Sequence, residues 1–316
     1  MRIIFMGTPE TAVPTLERLL QADHRIEAVI TQPDRPVGRG RKWTPPPVKR
    51  AAAQHGLRVI QPEKINTDEV RALFETVAPD TVVVVAYGKI LPPWLLRIPR
   101  RGCINVHFSL LPKYRGAAPV NWAIARGETE TGVTTMLMDE GLDTGPILLQ
   151  RRCWIGAEET APELAERLAR LGAELLIETL ERWERGELTP QPQDETQASY
   201  APRLTREDGC IDWSLRAVEI SNRIRGFQPW PGAWTTLQGA RLILWRAHPL
   251  PPHADGAALP GTISELAKDA LVVTCGERTR LRVEELQLEG KRRLSARDFL
   301  NGTRLEVGLR LGDGES

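Results

Sequence analysis

Thr81-Val82-Val83-Val84-Val85-Ala86 opens with five consecutive β-branched residues and shows no polar alternation. A strand wetted on one face alternates apolar and polar side chains. One covered on both faces does not, and continuous valine marks a central strand in a parallel sheet flanked by helices. Toward the N-terminus, Arg2–Met6, Ile26–Thr31 and Val59–Gln61 read as further strands, and apolar spacing predicts helices over Thr11–Gln21, Val48–His55 and Thr67–Val77. Strand and helix in alternation specify an α/β architecture, a Rossmann-like, mostly parallel sheet. Toward the C-terminus, Cys103–Phe108, Val133–Met138 and Ile147–Arg151 add strands. Thr160-Ala161-Pro162-Glu163 then forms a capping box before a long helix in which Leu164, Leu168, Leu171, Leu175 and Leu180 recur at helical spacing as far as Gly186.

Beyond Leu188 the pattern dissolves into Pro190, Pro192, Gln and Thr, the composition of a linker. A helical stretch at Leu215–Arg225 follows, then short strands at Ala233–Leu237, Ala240–Arg246, Gly261–Glu265, Ala270–Thr274 and Thr279–Leu286, which specify a small β-barrel or sandwich. The expected organisation is a first domain over 1–188, a linker over 189–206 and a second domain over 207–316, in keeping with a length of 316 residues. Forty-two Lys and Arg against 41 Asp and Glu leave a net charge of +1, so any nucleic-acid surface has to be local. Cys103, Cys153, Cys210 and Cys275 form no CxxC pair, so neither a zinc site nor a disulfide framework is expected. Met1–Met6 runs into Gly7 without a signal-peptide pattern, and no apolar stretch is long enough to span a bilayer, so a cytoplasmic location is expected.

The chemistry is carried by Cys103-Ile104-Asn105-Val106-His107-Phe108-Ser109-Leu110-Leu111-Pro112. Alternation along a strand puts Asn105 and His107 on one face and Ile104, Val106 and Phe108 on the other. The polar pair falls at the C-terminal end of the strand, where open α/β sheets hold their ligands. Asp143, in the glycine-punctuated loop Asp139-Glu140-Gly141-Leu142-Asp143-Thr144-Gly145-Pro146, is placed to return to the same edge. Singly, each has a structural explanation: a core histidine, a loop-bonding amide, an Asx turn. Together they match acyl transfer to an amine, which needs an oxyanion donor (Asn105), a proton carrier (His107) and a carboxylate to orient and stabilise the imidazole (Asp143). Gly7-Thr8-Pro9-Glu10 is no dinucleotide turn: it lacks G-x-G-x-x-G, and Pro9-Glu10 puts a ring and a negative charge where a pyrophosphate would approach.

Between the second strand and the next helix, Asp34-Arg35-Pro36-Val37-Gly38-Arg39-Gly40-Arg41-Lys42-Trp43 sets four cations against a single acid. Such a segment is either a solvated flexible loop or a set of phosphate contacts. Glycines that let the backbone adapt, and Trp43 as a stacking surface, favour contact with RNA.

Taken in order, Asn105-x-His107-x-Ser109-Leu110-Leu111-Pro112, Tyr114-Arg115-Gly116-x-x-Pro119, Glu130-Thr131-Gly132-Val133-Thr134 and Asp143-Thr144-Gly145 resemble the folate-dependent formyltransferase superfamily, and within it the methionyl-tRNA formyltransferases. The resemblance runs from Arg2 to about Leu300. It implies that Asn105, His107 and Asp143 are catalytic, that Ser109, Leu110, Leu111 and Pro112 lie against tetrahydrofolate, and that 10-formyltetrahydrofolate is the donor, without a metal. The implied acceptor is the amino group of initiator methionyl-tRNA, with Gln32–Lys42 entering the acceptor arm. Arg39 is then the leading RNA contact, supported by Arg35, Arg41, Lys42 and Trp43. Arg225-Gly226-Phe227-Gln228-Pro229-Trp230-Pro231-Gly232-Ala233-Trp234 resembles the family's OB-like C-terminal barrel, with Trp230 and Trp234 expected in core or interdomain packing and not as RNA platforms, and with Lys291-Arg292-Arg293 as a short basic cluster. Phe108 stands where the family often has a small residue, and its side chain is expected to face away from Asn105 and His107. A monomer is expected. Competing readings keep the chemistry with a sugar-nucleotide amine or water as acceptor, or discard it for a non-catalytic RNA-binding protein. Arg39→Ala should raise the KM for tRNA and leave formyl-folate binding unchanged; equal tRNA kinetics in mutant and parent would remove Arg39 from the interface.

Overall fold

The computed structural model describes residues 1–22, 24–37, 42–252 and 258–312. Two compact units divide the chain: Met1–Pro119, Glu130–Trp154 and Ala165–Pro202 form the first, and Val120–Thr129, Ile155–Leu164 and Arg203–Ser316 the second.

In chain order the elements begin with β1 (Arg2–Gly7), α1 (Val13–Gln21), β2 (Arg25–Ile30), β3 (Arg35–Val37), β4 (Lys42–Thr44), α2 (Pro47–Gln54), β5 (Val59–Ile60), α3 (Asp68–Val77) and β6 (Thr81–Val85). They continue with α4 (Pro93–Arg97), β7 (Cys103–His107), α5 (Pro119–Ala125), β8 (Glu130–Leu137), β9 (Ile147–Trp154) and α6 (Ala161–Glu184). The first unit's sheet has the order β5-β2-β1-β6-β7-β8-β9. Its strands are parallel from β5 to β7; β8 is antiparallel to β7, and β9 is antiparallel to β8.

The valine run is β6, buried at every residue and hydrogen-bonded between β1 and β7. Val82 and Val84 pack on one face with Ile4, Met6, Phe74 and Leu95. Burial of each such side chain contributes about 1.5 to 3 kcal/mol. Thr67 caps α3 by accepting the Val70 N–H at 3.3 Å, and Ala78, in the left-handed region at φ 43°, ends it. The chain builds outward from β1 through β2 to β5 and then crosses to β6, so strand order reverses between β1 and β6. Ligands bind at such a switch point, outside the C-terminal strand ends.

In the second unit, α7 (Ala217–Gly226) packs on an antiparallel sheet of β10 (Ala233–Leu237), β11 (Ala240–Leu250), β12 (Ile263–Leu266), β13 (Leu271–Thr274) and β14 (Arg280–Leu288), in the order β10-β11-β14-β13-β12. β15 (Leu294–Ser295) lies beside β14 and leads into α8 (Ala296–Gly302). Ile220, Ile224, Leu242, Leu244, Val283, Leu286 and Phe299 fill the core.

Several local readings differ from the structure. The helices α4, α5 and α8 have 5, 7 and 7 residues, too few turns to show a period. The basic segment contains a two-stranded hairpin, β3 paired with β4. Trp230 is 54% exposed and so is not a core residue, whereas Trp234 is half-buried with the Arg241 guanidinium 4.6 Å above its ring. The linker composition over 189–202 conceals a docked segment. Gln191 and Ile147 exchange backbone hydrogen bonds at 2.8 Å, and Tyr200 bridges to Arg115. A backbone laid along a sheet edge must satisfy its N–H and C=O groups whatever its side chains, so apolar periodicity gives no sign of it.

Phe108 does face away from the polar pair. With Val106 it meets α6 at Gly172, where an added Cβ would lie 2.8 Å from Val106 Cγ1, 3.3 Å from Val133 Cγ1 and 3.4 Å from Phe108 Cε1. The missing Cβ makes room chiefly for Val106. Gly172→Val should therefore destabilise the first unit by about 1 to 3 kcal/mol through overpacking, read as a lower midpoint in urea; an unchanged midpoint would show that the helix can move away freely.

Candidate active site

Asn105 and His107 share one face of β7 and are buried, at 9% and 6% exposure. His107 Nε2 lies 2.9 Å from the Tyr114 carbonyl oxygen. A carbonyl only accepts, so in the neutral ring Nε2 carries the proton and Nδ1 presents a lone pair. That lone pair faces Asp143 Oδ2 at 3.7 Å. Asn105 Nδ2 donates to Asp143 Oδ1 at 3.5 Å, the outer limit of a hydrogen bond. Amide, imidazole and carboxylate thus converge without locking one another. Cys103 is on the same alternation, but burial pushes its thiol up to about 12, which removes it as a nucleophile.

Asp143 reaches this face by a detour. β8 runs antiparallel to β7, with Leu137 level with Ile104, so the connection after β8 starts near the wrong end of β7. It has to fold back along the polar face. Asp139 Oδ1 gathers the turn by accepting the Gly141 N–H at 3.0 Å and the Thr144 hydroxyl at 2.7 Å. Gly145 passes so close to Leu137 that a Cβ would lie 1.9 Å from its carbonyl oxygen. Asp143 itself sits at φ 54°, a left-handed conformation that Asp tolerates better than most residues. Its Oδ2 accepts the Gly116 N–H at 2.8 Å.

Behind the loop lies a network that the sequence reading missed. Arg115 has no exposed surface. Its Nη1 and Nη2 donate to Glu195 Oε2 and Oε1 at 2.8 and 2.7 Å, and its Nε and Nη2 donate to Gln193 Oε1 at 3.0 and 2.8 Å. The hydrogen bonds from Arg115 hold the Glu195 carboxyl below the usual carboxylate range. Gln193 Nε2 donates in turn to the carbonyls of Asp143 and Gly145, at 2.8 and 2.7 Å. The signal was Arg115 inside a turn motif with no acid nearby in sequence, since a buried guanidinium must find its partner at a distance.

The Ser109–Pro112 turn divides. Ser109 is fully buried and its hydroxyl donates to the Lys113 carbonyl at 2.6 Å. Thr134 Oγ1 donates to the Ser109 carbonyl at 2.7 Å and accepts the Leu111 N–H at 3.1 Å. Leu111 is 3% exposed, so only Leu110 and Pro112, both half-buried, offer side-chain surface. Among the exposed large apolar residues of the same unit are Ile90, 84% exposed on the connection after β6, and Leu142, 57% exposed beside Asp143.

Of the basic residues, Arg35 and Lys42 are exposed on the hairpin, and neither has an acidic partner among the described residues; Arg39 and Arg41 lie outside the described residues. The register Arg35↔Thr44, Pro36↔Trp43, Val37↔Lys42 puts Arg35 and Lys42 on one face and the exposed Trp43 on the other. Asp34, the acid of the run, is spent at the hairpin base, where Lys49 donates to both its oxygens at 2.9 Å and lowers its pKa. The hairpin leaves the C-terminal end of β2, on the edge where His107 ends β7. Three strand spacings, roughly 14 Å, separate β2 from β7. Among the described residues no His, Cys, Asp and Glu cluster is arranged to hold a metal ion, and no helix is long and apolar enough to cross a membrane.

The formyl transferase model matches residues 1–180 and the formyl transferase C-terminal domain model residues 203–304. The chain belongs to the formyl transferase family, with its methionyl-tRNA formyltransferases. It is 54% identical over 312 residues to the methionyl-tRNA formyltransferase of Geobacter metallireducens, covering 99% of each chain. To that of Acidobacterium capsulatum it is 55% identical over 313 residues, covering 99% of this chain and all of the relative. Among solved structures, the fold is similar to an N-formyltransferase from Helicobacter canadensis in complex with folinic acid and dTDP-3-aminofucose, with a TM-score of 0.66, 20% identity and coverage of 89% and 98%. It is also similar to the methionyl-tRNA formyltransferase of Clostridium thermocellum, with a TM-score of 0.53, 18% identity and coverage of 78% and 93%. At such identities the structures speak for the formyl transferase fold alone. Asp143→Asn keeps the backbone preference and the Gly116 contact but removes the charge facing His107. Turnover should fall by about 10² to 10⁴-fold with the melting temperature unchanged, and a variant as fast as the parent would assign the carboxylate a purely structural task.

Proposed function

We propose that the chain transfers the formyl group of 10-formyltetrahydrofolate to the amino group of initiator methionyl-tRNA, as a cytoplasmic monomer, with Asn105, His107 and Asp143 as the reacting set. The observation that carries this reading is the convergence of an amide donor, an imidazole with its Nδ1 lone pair directed inward and a carboxylate at one end of β7.

Formyl-folate supplies an acyl carbon already activated on nitrogen, so no covalent enzyme intermediate is required. The Asn105 amide donates to the oxygen of the carbon under attack, where negative charge develops. One such donor is worth about 3 to 4 kcal/mol of barrier. His107 Nδ1 takes the proton of the attacking amine, because Nε2 is already committed to Tyr114 O. Asp143 then pairs with the imidazolium until the proton passes to the departing nitrogen. Ile90 and Leu142 offer apolar faces suited to a flat pterin, and Leu110 and Pro112 offer the remaining surface of the turn.

The acceptor is read from the hairpin. Arg35 and Lys42 supply phosphate contacts on a hairpin that follows β2, three strands from β7, with Arg39 and Arg41 proposed as further contacts from the sequence of the same segment, and the amino acid borne by the tRNA end reaches across to the reacting set. Trp43, on the opposite hairpin face, is left as a stacking surface. A sugar-nucleotide acceptor has no use for such a hairpin. Incubation with 10-formyltetrahydrofolate and charged initiator tRNA should yield N-formylmethionine after deacylation, and none from free methionine. Formylation of a dTDP-amino sugar in place of the charged tRNA would move the chain to the other acceptor class.

A further inference from the structure

Residues 191–201 have the composition of a linker and the bonding of a structural element. Gln193 joins the loop that bears Asp143 to the buried Arg115. Its Nε2 donates to the Asp143 and Gly145 carbonyls at 2.8 and 2.7 Å, and its Oε1 accepts from Arg115 Nε and Nη2 at 3.0 and 2.8 Å. Both donors and both lone pairs of the amide are used. The orientation is therefore determined: flipped, its nitrogen would face a guanidinium and its oxygen two carbonyls.

Arg115 belongs to Tyr114-Arg115-Gly116, whose backbone touches both other groups. The Tyr114 carbonyl holds His107 Nε2 and the Gly116 N–H holds Asp143 Oδ2. This tripeptide is itself bound to the docked segment, with Arg115 N–H to Ser199 O at 2.8 Å, Ala201 N–H to Arg115 O at 2.7 Å and Tyr114 N–H to Ser199 Oγ at 2.9 Å. Tyr114 and Asp143 are both left-handed, at φ 63° and 54°. Non-glycine residues persist in that region only where their surroundings over-determine them. Gly116, at φ 119°, has Ala201 O 2.7 Å from where a Cβ would stand.

Resting on the formyl-transfer reading, we infer that Gln193, backed by Arg115 and Glu195, is a positioning residue that sets the spacing of the Asp143 carboxylate from His107 and Asn105. It touches no reacting atom and acts through the main chain of Asp143 and Gly145. The segment after α6 is thereby part of the reaction centre.

Gln193→Glu tests this in the full chain. The carboxylate keeps the volume and pairs with Arg115, but it has no donor for the two carbonyls and repels them. The kcat for formylation should fall on the order of 10²-fold, the effect of displacing a reacting group by about 1 Å. The KM for formyl-folate and for tRNA should stay within about twofold, and thermal unfolding should remain a single cooperative transition at a lowered midpoint. A folded variant with parental kcat overturns the role, as does a raised KM at constant kcat, which would make Gln193 a binding group. If Gln193→Glu does not fold, Glu195→Gln decides on the same criterion, since that side chain is 68% exposed: a fall confined to kcat supports the role and parental kcat overturns it. A parent that forms no N-formylmethionine overturns the formyl-transfer reading and this role with it. An active parent beside an equally active variant overturns the positioning role alone.

Discussion

A guanidinium with no exposed surface cannot stand alone, because an unpaired buried charge costs several kcal/mol. Arg115 meets this demand by drawing in Glu195 and Gln193, some eighty residues further along the chain. Everything else at the β7 edge follows from that closure. The docked segment pins the turn that holds His107, and Gln193 passes the constraint to the loop bearing Asp143. The turn and the loop are tied together through the partners that satisfy this charge.

The sheet supplies a second constraint. Parallel strands deliver their C-terminal ends to one edge, so β2, β6 and β7 bring the basic hairpin, the exposed Ile90 and the Asn105–His107 pair to it together. The antiparallel β8 breaks the pattern and sends its connection off at the opposite end. Two close-packed glycines and an Asx-type turn at Asp139 then return Asp143 along the face. A carboxylate delivered by such a loop needs external bracing, which explains why the Gln193 contacts fall on the main chain of Asp143 and Gly145.

In the second unit, guanidinium groups lie over tryptophan rings at Arg126–Trp122, Arg241–Trp234 and Arg293–Trp245. Arg293 is also paired with Glu285. The Lys291–Arg293 cluster is thus partly engaged within its own domain, and a simple count of its charges overstates what it offers to a phosphate backbone.

The amino-acid sequence by itself determined the parallel sheet, through the unbroken valines of β6, and the shared face of Asn105 and His107, through the two-residue period of a strand. Both are local properties, written in neighbouring residues. It also marked Asp143 and the basic segment by residue type and glycine spacing. Only the tertiary structure decided that Trp230 is exposed, that Arg35 and Trp43 face opposite ways, and that residues 191–201 are docked. Those outcomes depend on register and on hydrogen bonds between distant segments, which leave no periodicity in a single chain. The Arg115–Gln193–Asp143 chain is the clearest case: a buried charge selects its partners by distance in space, and separation along the sequence carries no record of the choice.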